Sequence, residues 1–287
     1  MVLVNGNIFG SDTFPNKEIN FKAVDLMDET NIVTIPFTDN DDIFKALVAI
    51  EYIKDKKPGS KVTVYFQYLP YSGMDREINN QLFSLKYLAS ILNKMGVYKI
   101  YVFDPHNAAV TSELIPNVKY IDLNCVVKRV IENYKPDVVY YPDKGAMAKY
   151  PNILTVVTEK NIPIIYGNKV RDLEDKGKIV SYETVLNGVD VKDKRVLIID
   201  DICRKGGTFA WAASNLKELG VADVALYVSH CEGCVFDGTL LKQGSPISRL
   251  YTTTSETDAY DEEIKRFGFS NPMITYMDIS WNPYIAF

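Results

Sequence analysis

Short apolar runs alternate with helical segments along most of the chain, and this alternation limits the possible folds more than any other feature. Val62–Phe66, Ile100–Phe103 and Val138–Tyr141 are rich in the β-branched and aromatic residues of buried strands. Leu82–Met95 and Cys125–Tyr134, which lie between them, have the apolar spacing of amphipathic helices. Strands separated by helices of about 10–15 residues form βαβ units, so an α/β fold is predicted, with mostly parallel sheets flanked by helices.

The second half continues the pattern and contains a repeat of the first. Ala89–His106 and Ala213–His230 both read as the end of a helix, a Gly stop, a Val, a strand and a final His. At roughly 150 residues per domain, 287 residues correspond to two domains. We therefore expect two similar domains, residues 1–135 and 136–287, divided at Lys135-Pro136-Asp137, where Pro disfavours helix continuation. Whether the last residues return to the first domain is left open.

Composition excludes several classes of function. Lys and Arg number 32 against 37 Asp and Glu, a net charge of −5, so general nucleic-acid binding is not expected. No run approaches the ~20 apolar residues of a membrane span, and the first residues do not resemble a signal peptide. A cytoplasmic protein with reduced thiols and no membrane partner is expected. Cys231 and Cys234 form one CxxC beside His230, but zinc would need a second ligand pair.

The segment Arg195–Ala210, RVLIIDDICRKGGTFA, is the strongest functional signal. A buried strand ends in two aspartates, a short loop follows, and two glycines and a threonine begin a helix. Ligand sites of parallel sheets lie at the carboxyl ends of strands, and a helix N-terminus favours an anion. Glycines let backbone N–H groups approach a phosphate, and paired carboxylates suit ribose hydroxyls or a metal ion. The residues predicted to bind substrate are Asp200, Asp201, Arg204, Lys205, Gly206, Gly207 and Thr208.

This segment resembles the phosphoribosyl-pyrophosphate motif of type I phosphoribosyltransferases, and the remaining motifs resemble one branch of that superfamily, the ribose-phosphate pyrophosphokinases. The resemblance extends over nearly the whole chain, with the motifs in the family's order. They are FPNKE at Phe14–Glu18, YLPYSGMDR at Tyr68–Arg76, DPHNAA at Asp104–Ala109, VVYYPDKG at Val138–Gly145 and KVR at Lys169–Arg171. The resemblance implies two phosphoribosyltransferase-like domains, the second of which holds the ribose-phosphate loop.

The resemblance also implies a reaction: transfer of the β,γ-diphosphoryl group of ATP to the anomeric hydroxyl of ribose 5-phosphate, which gives phosphoribosyl pyrophosphate. In such a reaction, charge on phosphoryl oxygens needs positioned cations. Lys169 and Arg171, on a mobile loop that continues through Asp172, Glu174, Asp175 and Gly177, would be catalytic together with His106. Mg²⁺ is the implied cofactor, with His106 and Asp143 as its partners. The residues implied to bind ATP are Phe14, Glu18, Asp75, Arg76 and His106.

Assembly follows from the same resemblance. In the family the loop that corresponds to Phe14–Glu18 supplies an aromatic and an acidic residue to adenine across a dimer interface. A homo-oligomer built from dimers is therefore expected, with a hexamer as one such assembly. Asn16 stands where the family has the acidic residue, so looser selectivity for adenine is expected.

Two departures from the family bear on the substrates. Gly73-Met74 replaces an Arg-Gln pair that helps to hold ATP, so the nucleotide must be bound differently. Arg204 and Lys205 replace an acidic residue and a hydroxyl, and these added cations suit a larger anion beyond the 5-position. ADP-ribose is such a ligand, and a phage-type branch of the family is thought to pyrophosphorylate it for NAD regeneration. Ribose 5-phosphate remains the default acceptor, and an outward-facing Arg204-Lys205 pair is the simpler alternative.

The sequence offers two alternatives to diphosphoryl transfer. An inactive, regulatory family member would be expected to lose the catalytic loop, whereas Lys169, Arg171 and Asp200-Asp201 are all present. A true phosphoribosyltransferase, which uses the pyrophosphate product with a base, is usually one domain of about 200 residues. The duplicated length and the DPH and FPNKE elements argue against it.

Overall fold

The computed structural model describes residues 1–171, 179–255, 257–267 and 271–279. It divides into two compact units, Met1–Asp122 with Ser255–Thr257, and Leu123–Thr254 with the residues from Asp258 onward. Within the described residues, no helix is both long and apolar enough to cross a membrane. Two mostly parallel sheets flanked by helices confirm the predicted α/β class.

The first unit is built on a six-stranded sheet in the order β2-β1-β5-β6-β7-β8. The parallel strands β5 to β8 are joined through helices, whereas β1 pairs antiparallel with β2 and β5. A separate hairpin is formed by β3 and β4. The elements are β1 (Val2–Val4), β2 (Asn7–Phe9), β3 (Asp12–Thr13), β4 (Ile19–Asn20), β5 (Thr30–Ile35), α1 (Asn40–Lys56), β6 (Lys61–Phe66), α2 (Ser84–Lys94), β7 (Lys99–Val102), α3 (Ala108–Leu114) and β8 (Val118–Tyr120).

The second unit is built on a seven-stranded sheet in the order β11-β10-β9-β12-β13-β14-β15, parallel except for β11. A 3-10 helix, Gly233–Asp237, follows β13. The other elements are α4 (Asn124–Tyr134), β9 (Val138–Tyr141), α5 (Lys144–Lys149), α6 (Pro151–Glu159), β10 (Ile164–Arg171), β11 (Ile179–Val185), β12 (Arg195–Cys203), α7 (Gly207–Glu218), β13 (Asp223–Cys231), β14 (Arg249–Thr253), α8 (Thr257–Phe267) and β15 (Ile274–Met277).

Both faces of the second sheet are covered. Successive residues of β9 and β12 face opposite sides: Tyr140 and Ile198 pack with α7, whereas Tyr141 and Ile199 pack with α4 and α6. Burial on both faces explains why these strands read as continuous apolar runs in the sequence. The site at the carboxyl end of β12 is therefore carried by a rigid central strand.

Helix α4 belongs to the second unit, which places the boundary between Asp122 and Leu123, whereas the sequence placed it at 135/136. Its apolar face, which includes Val127, packs in the cluster that also contains Tyr251. The Tyr134 hydroxyl donates to Asp223 at 3.0 Å, and the Tyr251 hydroxyl donates to Asn133 at 2.6 Å. These tertiary contacts outweigh the local break at Pro136 as a marker of the boundary.

Candidate functional site

The carboxyl end of β12 places the paired aspartates at the edge of the second sheet. The strand continues to Cys203, four residues beyond the apolar run that ends at Ile199, and its neighbours in the sheet are β9 and β13. Asp200 is partly exposed and Asp201 is 5% exposed. The backbone N–H of Asp201 donates to Asp200 Oδ1 at 2.9 Å. The predicted pair thus presents one accessible and one enclosed carboxylate.

Lys149 is a site residue that the sequence analysis missed. Its ammonium lies 2.9 Å from Asp201 Oδ2, and the two side chains are only 15% and 7% exposed. A carboxylate in such an enclosed place needs a partner, because an uncompensated buried charge is strongly destabilising. Lys149 ends α5, 52 residues before Asp201 in the chain, so no local pattern indicated the pair.

The loop after β12 has the geometry expected of an anion site. Gly206 takes a left-handed conformation, with φ of +74°, and is the N-cap of α7. A Cβ there would lie 2.8 Å from the Cβ of Leu240, so only glycine fits. Gly207, the first helical residue, faces open space, and Thr208 is partly exposed. The first N–H groups of a helix lack intrahelical acceptors, so this open end can receive a phosphate.

The two basic loop residues are exposed, and one of them has an acidic partner. Arg204 Nε donates to Glu232 Oε1 at 2.9 Å, with the side chains 65% and 28% exposed. Lys205 is exposed, and its charge helps to lower the pKa of Asp237, although Arg266 is the main cause. The cations that the sequence assigned to a substrate anion therefore also face carboxylates of the chain itself.

Asp143 is the N-cap of α5, at the end of the neighbouring strand β9. Its Oδ1 accepts from the N–H of Ala146 at 2.8 Å. A carboxylate accepts several hydrogen bonds or ligands, so capping a helix does not by itself exclude metal binding. In the described part of the chain, no three or more His, Cys, Asp or Glu side chains form a metal-binding cluster. Mg²⁺ typically binds one or two protein groups plus substrate phosphates, and Asp143 fits that role.

Lys169 and Arg171 lie at the end of β10, in a hairpin arm with β11. Lys169 pairs with Tyr182, and the register shifts between Val170 and Arg171. The resemblance implied a mobile loop here, whereas the backbone through Arg171 is strand. The rest of that predicted loop, with Asp172, Glu174, Asp175 and Gly177, lies outside the described residues.

In the first unit, the structure brings together two of the predicted nucleotide elements. Asn107, which follows His106, donates from Nδ2 to Asp75 Oδ2 at 2.8 Å. The same side chain accepts from the N–H of Val110 at 3.2 Å and caps α3. Asp75 is 10% exposed, whereas Arg76 is 76% exposed and its Nε lies 3.9 Å from Asp75 Oδ1. His106 is exposed on the loop that this bond holds in place.

The predicted FPNKE element forms the turn of the hairpin β3–β4. The N–H of Phe14 donates to the carbonyl of Glu18 at 2.8 Å, and Asn16 Oδ1 accepts from the N–H of Glu18 at 3.1 Å. Phe14 is 50% exposed and Glu18 is exposed. Asn16, which departs from the family pattern, therefore has a structural role in closing the turn.

The two cysteines of the CxxC element have the properties of ordinary, unreactive thiols. His230 and Cys231 are buried in β13. Burial and the neighbouring Glu232 carboxylate raise the pKa of Cys234 to about 11. A thiol with so high a pKa is a poor metal ligand and a poor nucleophile at neutral pH.

The strand β12, its paired aspartates and the glycine loop that begins α7 define a protein of the phosphoribosyltransferase class. Residues 120–238 match the family described as the phosphoribosyl transferase domain. This match begins beside the boundary between the units and lies almost wholly within the second.

Comparisons that cover most of the chain point to one kind of protein within this class. The chain is 27% identical over 252 residues to a ribose-phosphate pyrophosphokinase of Thermococcus kodakarensis, covering 84% of this chain and 83% of that protein. It is 26% identical to that of Pyrococcus abyssi, covering 88% and 86%. The crystal structure of a phosphoribosylpyrophosphate synthetase from Mycobacterium smegmatis has the same fold, with a TM-score of 0.71 at 20% identity over 93% of this chain and 85% of that one. Over more than four fifths of its length, the chain is therefore similar to ribose-phosphate pyrophosphokinases, which are transferases.

Proposed function

We propose that this enzyme transfers the β,γ-diphosphoryl group of ATP to the 1-hydroxyl of ribose 5-phosphate. The observation that carries the proposal is the end of β12, where Asp200 and Asp201 lie near the end of the strand and a short loop leads from it to the open N-terminus of α7. Carboxylates accept the 2- and 3-hydroxyls of ribose, and the backbone N–H groups of Gly206 and Gly207 receive the 5-phosphate.

Lys149 prepares the ribose subsite in this proposal. Its ion pair with Asp201 balances the enclosed carboxylate and fixes its orientation before substrate arrives. A fixed acceptor loses little entropy when it binds, which favours a defined orientation of the anomeric hydroxyl. Asp200, which is partly exposed, is the more accessible acceptor.

The reacting phosphates need cations, which we assign to Lys169 and Arg171. Charge that develops on phosphoryl oxygens in the transition state is stabilised by positioned positive groups. When bound, Mg²⁺ would supply further positive charge to these oxygens, and Asp143 is the residue of the second unit that we assign to hold it. The nucleotide is assigned to Phe14, Glu18, Asp75, Arg76 and His106. The exposed Phe14 turn supports a homo-oligomer of dimers in which the turn reaches a neighbouring nucleotide site.

ADP-ribose is the second candidate acceptor, and the exposure of Arg204 and Lys205 on the loop favours it. Both side chains could contact a pyrophosphate on the 5-side of the ribose. The ion pair with Glu232 weakens this argument, because it gives Arg204 a partner within the chain. Ribose 5-phosphate therefore remains the first choice.

One assay tests both acceptors. Purified protein is incubated with ATP, Mg²⁺ and either ribose 5-phosphate or ADP-ribose, and mass spectrometry identifies the acceptor that gains a diphosphoryl group. We expect phosphoribosyl pyrophosphate and AMP. Lys169→Ala should reduce turnover by about 10²-fold or more, as expected for a single electrostatic group. The matched control is Lys128→Ala, an exposed lysine of α4.

Three outcomes contradict parts of the proposal. If only ADP-ribose gains a diphosphoryl group, ADP-ribose is the acceptor instead of ribose 5-phosphate. If neither compound gives a product, the chain is an inactive family member. A Lys169→Ala variant with the turnover of Lys128→Ala would remove Lys169 from the catalytic assignment.

A further inference from the structure

The phosphate loop, residues 204–207, is bordered by a segment that no substrate role explains. This flanking segment, residues 232–240, leaves β13 and includes the 3-10 helix Gly233–Asp237. It begins with a backbone bond, because the N–H of Glu232 donates to the carbonyl of Cys203 at 2.9 Å. The two segments therefore leave the sheet side by side.

Two close contacts made by glycines hold the phosphate loop against the flanking segment. A Cβ on Gly238 would lie 1.9 Å from the carbonyl oxygen of Lys205, so the two backbones approach as closely as glycine allows. Gly206 lies equally close to the fully buried side chain of Leu240, where an added Cβ would be 2.8 Å from the leucine Cβ. The conformation that opens the start of α7 thus depends on residues more than 30 positions later in the chain.

The third contact is electrostatic. Glu232 Oε1 accepts from Arg204 Nε at 2.9 Å, and Glu232 Oε2 accepts from the Cys234 thiol at 3.5 Å. Both oxygens of the carboxylate are therefore oriented, one by the phosphate loop and one by its own segment. A carboxylate beside a phosphate loop would repel a dianionic ligand if its charge were not balanced, and Arg204 balances it.

We propose that Glu232 is a positioning residue that holds the phosphate loop in its ligand-ready conformation by fixing Arg204. The carboxylate acts through Arg204 and makes no contact with substrate. The kinetic consequence rests on the proposed function, whereas the effect on the loop itself does not.

Hydrogen–deuterium exchange of the ligand-free protein tests the effect on the loop. In Glu232→Gln, peptides that cover residues 203–210 should exchange about twofold to fivefold faster than in the parent, the scale of a partly exposed ion pair. The control is Glu218→Gln, the same change of charge at the far end of α7, where the carboxylate is exposed. Unchanged exchange in peptides of β13 shows that each variant is folded.

Two further variants keep the test sharp. The charge swap Arg204→Glu with Glu232→Arg should restore slow exchange relative to Glu232→Gln, because it rebuilds the pair with opposite polarity. Gly238→Ala changes no charge and should speed exchange in the same peptides, because its methyl group displaces the carbonyl of Lys205.

The sign of the kinetic effect separates positioning from simple electrostatics. Removal of a negative charge near the phosphate would by itself lower the KM for ribose 5-phosphate. Loss of positioning raises that KM by about threefold or more while kcat changes less. Loop exchange equal to that of Glu218→Gln, or a lowered KM, would overturn the proposal. A third outcome separates the two proposals. If exchange of the loop is faster in Glu232→Gln but the parent protein does not turn over ribose 5-phosphate, the proposed function fails and the positioning role of Glu232 stands.

Discussion

The two repeated segments, Ala89–His106 and Ala213–His230, have the same sequence pattern and place their final histidines in opposite environments. In the first unit β7 ends at Val102, and His106 is exposed on the loop that follows. In the second unit β13 runs through to Cys231, and His230 is 2% exposed. Similar sequences thus produce one histidine that can meet a ligand and one that belongs to the core.

Two residues before each histidine explain the difference. Asp104, with φ of +38°, and Pro105 occupy the places that Val228 and Ser229 occupy in the repeat. Proline has no N–H for a ladder and a left-handed residue turns the chain, so β7 cannot continue. Val228 and Ser229 permit extension, and β12 provides a partner as far as the pairing of Cys203 with Cys231. The repeat therefore preserves the fold while the strand length determines which unit exposes its imidazole.

The largest expected effect comes from placing the proline that follows β7 in the first repeated segment at the equivalent position of the second. Ser229→Pro places a ring at a fully buried position of a central strand and should cost about 3 kcal/mol or more of unfolding free energy. The reverse change, Pro105→Ser, should cost under about 1 kcal/mol, because Asp104 still turns the chain. Urea unfolding followed by circular dichroism measures both. Equal losses would show that strand length does not distinguish the two segments.

The histidines themselves give an intermediate effect. His230→Ala leaves a cavity in the core and should lower the unfolding free energy by about 2 kcal/mol. His106→Ala, at an exposed position, should change it by less than about 0.5 kcal/mol while turnover falls by about tenfold or more. Thermal unfolding and the diphosphoryl-transfer assay are run on the same preparations. A stability loss at His106 as large as that at His230 would contradict the assignment.

The smallest effect compares surface ion pairs of the two units. Hydrogen bonding from Arg266 lowers the pKa of Asp237 in the second unit, and Lys22 lowers the pKa of Asp12 in the first. A carboxyl whose folded pKa is lowered contributes stability above its unfolded pKa of about 3.8, and that contribution is lost as pH falls through the folded value. Arg266→Gln and Lys22→Gln should each flatten slightly the acid side of the stability–pH curve. A variant curve that stays parallel to the parent's between pH 6 and pH 2 would remove these pairs from the acid response, because a contributing pair makes the two curves converge as the carboxyl is protonated.

Local sequence patterns predicted much of the fold. The helix expected at Leu82–Met95 is α2, Ser84–Lys94, and the strand expected at Val138–Tyr141 is β9. Hydrophobic periodicity suffices for such elements because each buries a face whose spacing the chain itself displays. The continuation of β10 beyond Tyr166 and its antiparallel pairing with β11 were not predicted, because Gly167, Asn168 and Lys169 carry no strand pattern.

The residues of the candidate site also fall into two groups, those that the sequence predicted and those that only the structure revealed. Asp200, Asp201 and the glycine loop are contiguous in the chain, so the order of strand, carboxylates, glycines and helix was visible in the sequence alone. Lys149 reaches Asp201 across 52 positions, and Glu232 reaches Arg204 across 28. These charge partners meet because parallel strands bring their carboxyl ends to one edge of the sheet. The sequence by itself determined the two-unit α/β architecture and the order of strand, aspartates, glycine loop and helix, since both rest on neighbouring residues. Only the tertiary structure decided which charges balance the loop and which histidine is exposed, because those outcomes depend on strands that lie far apart in the chain.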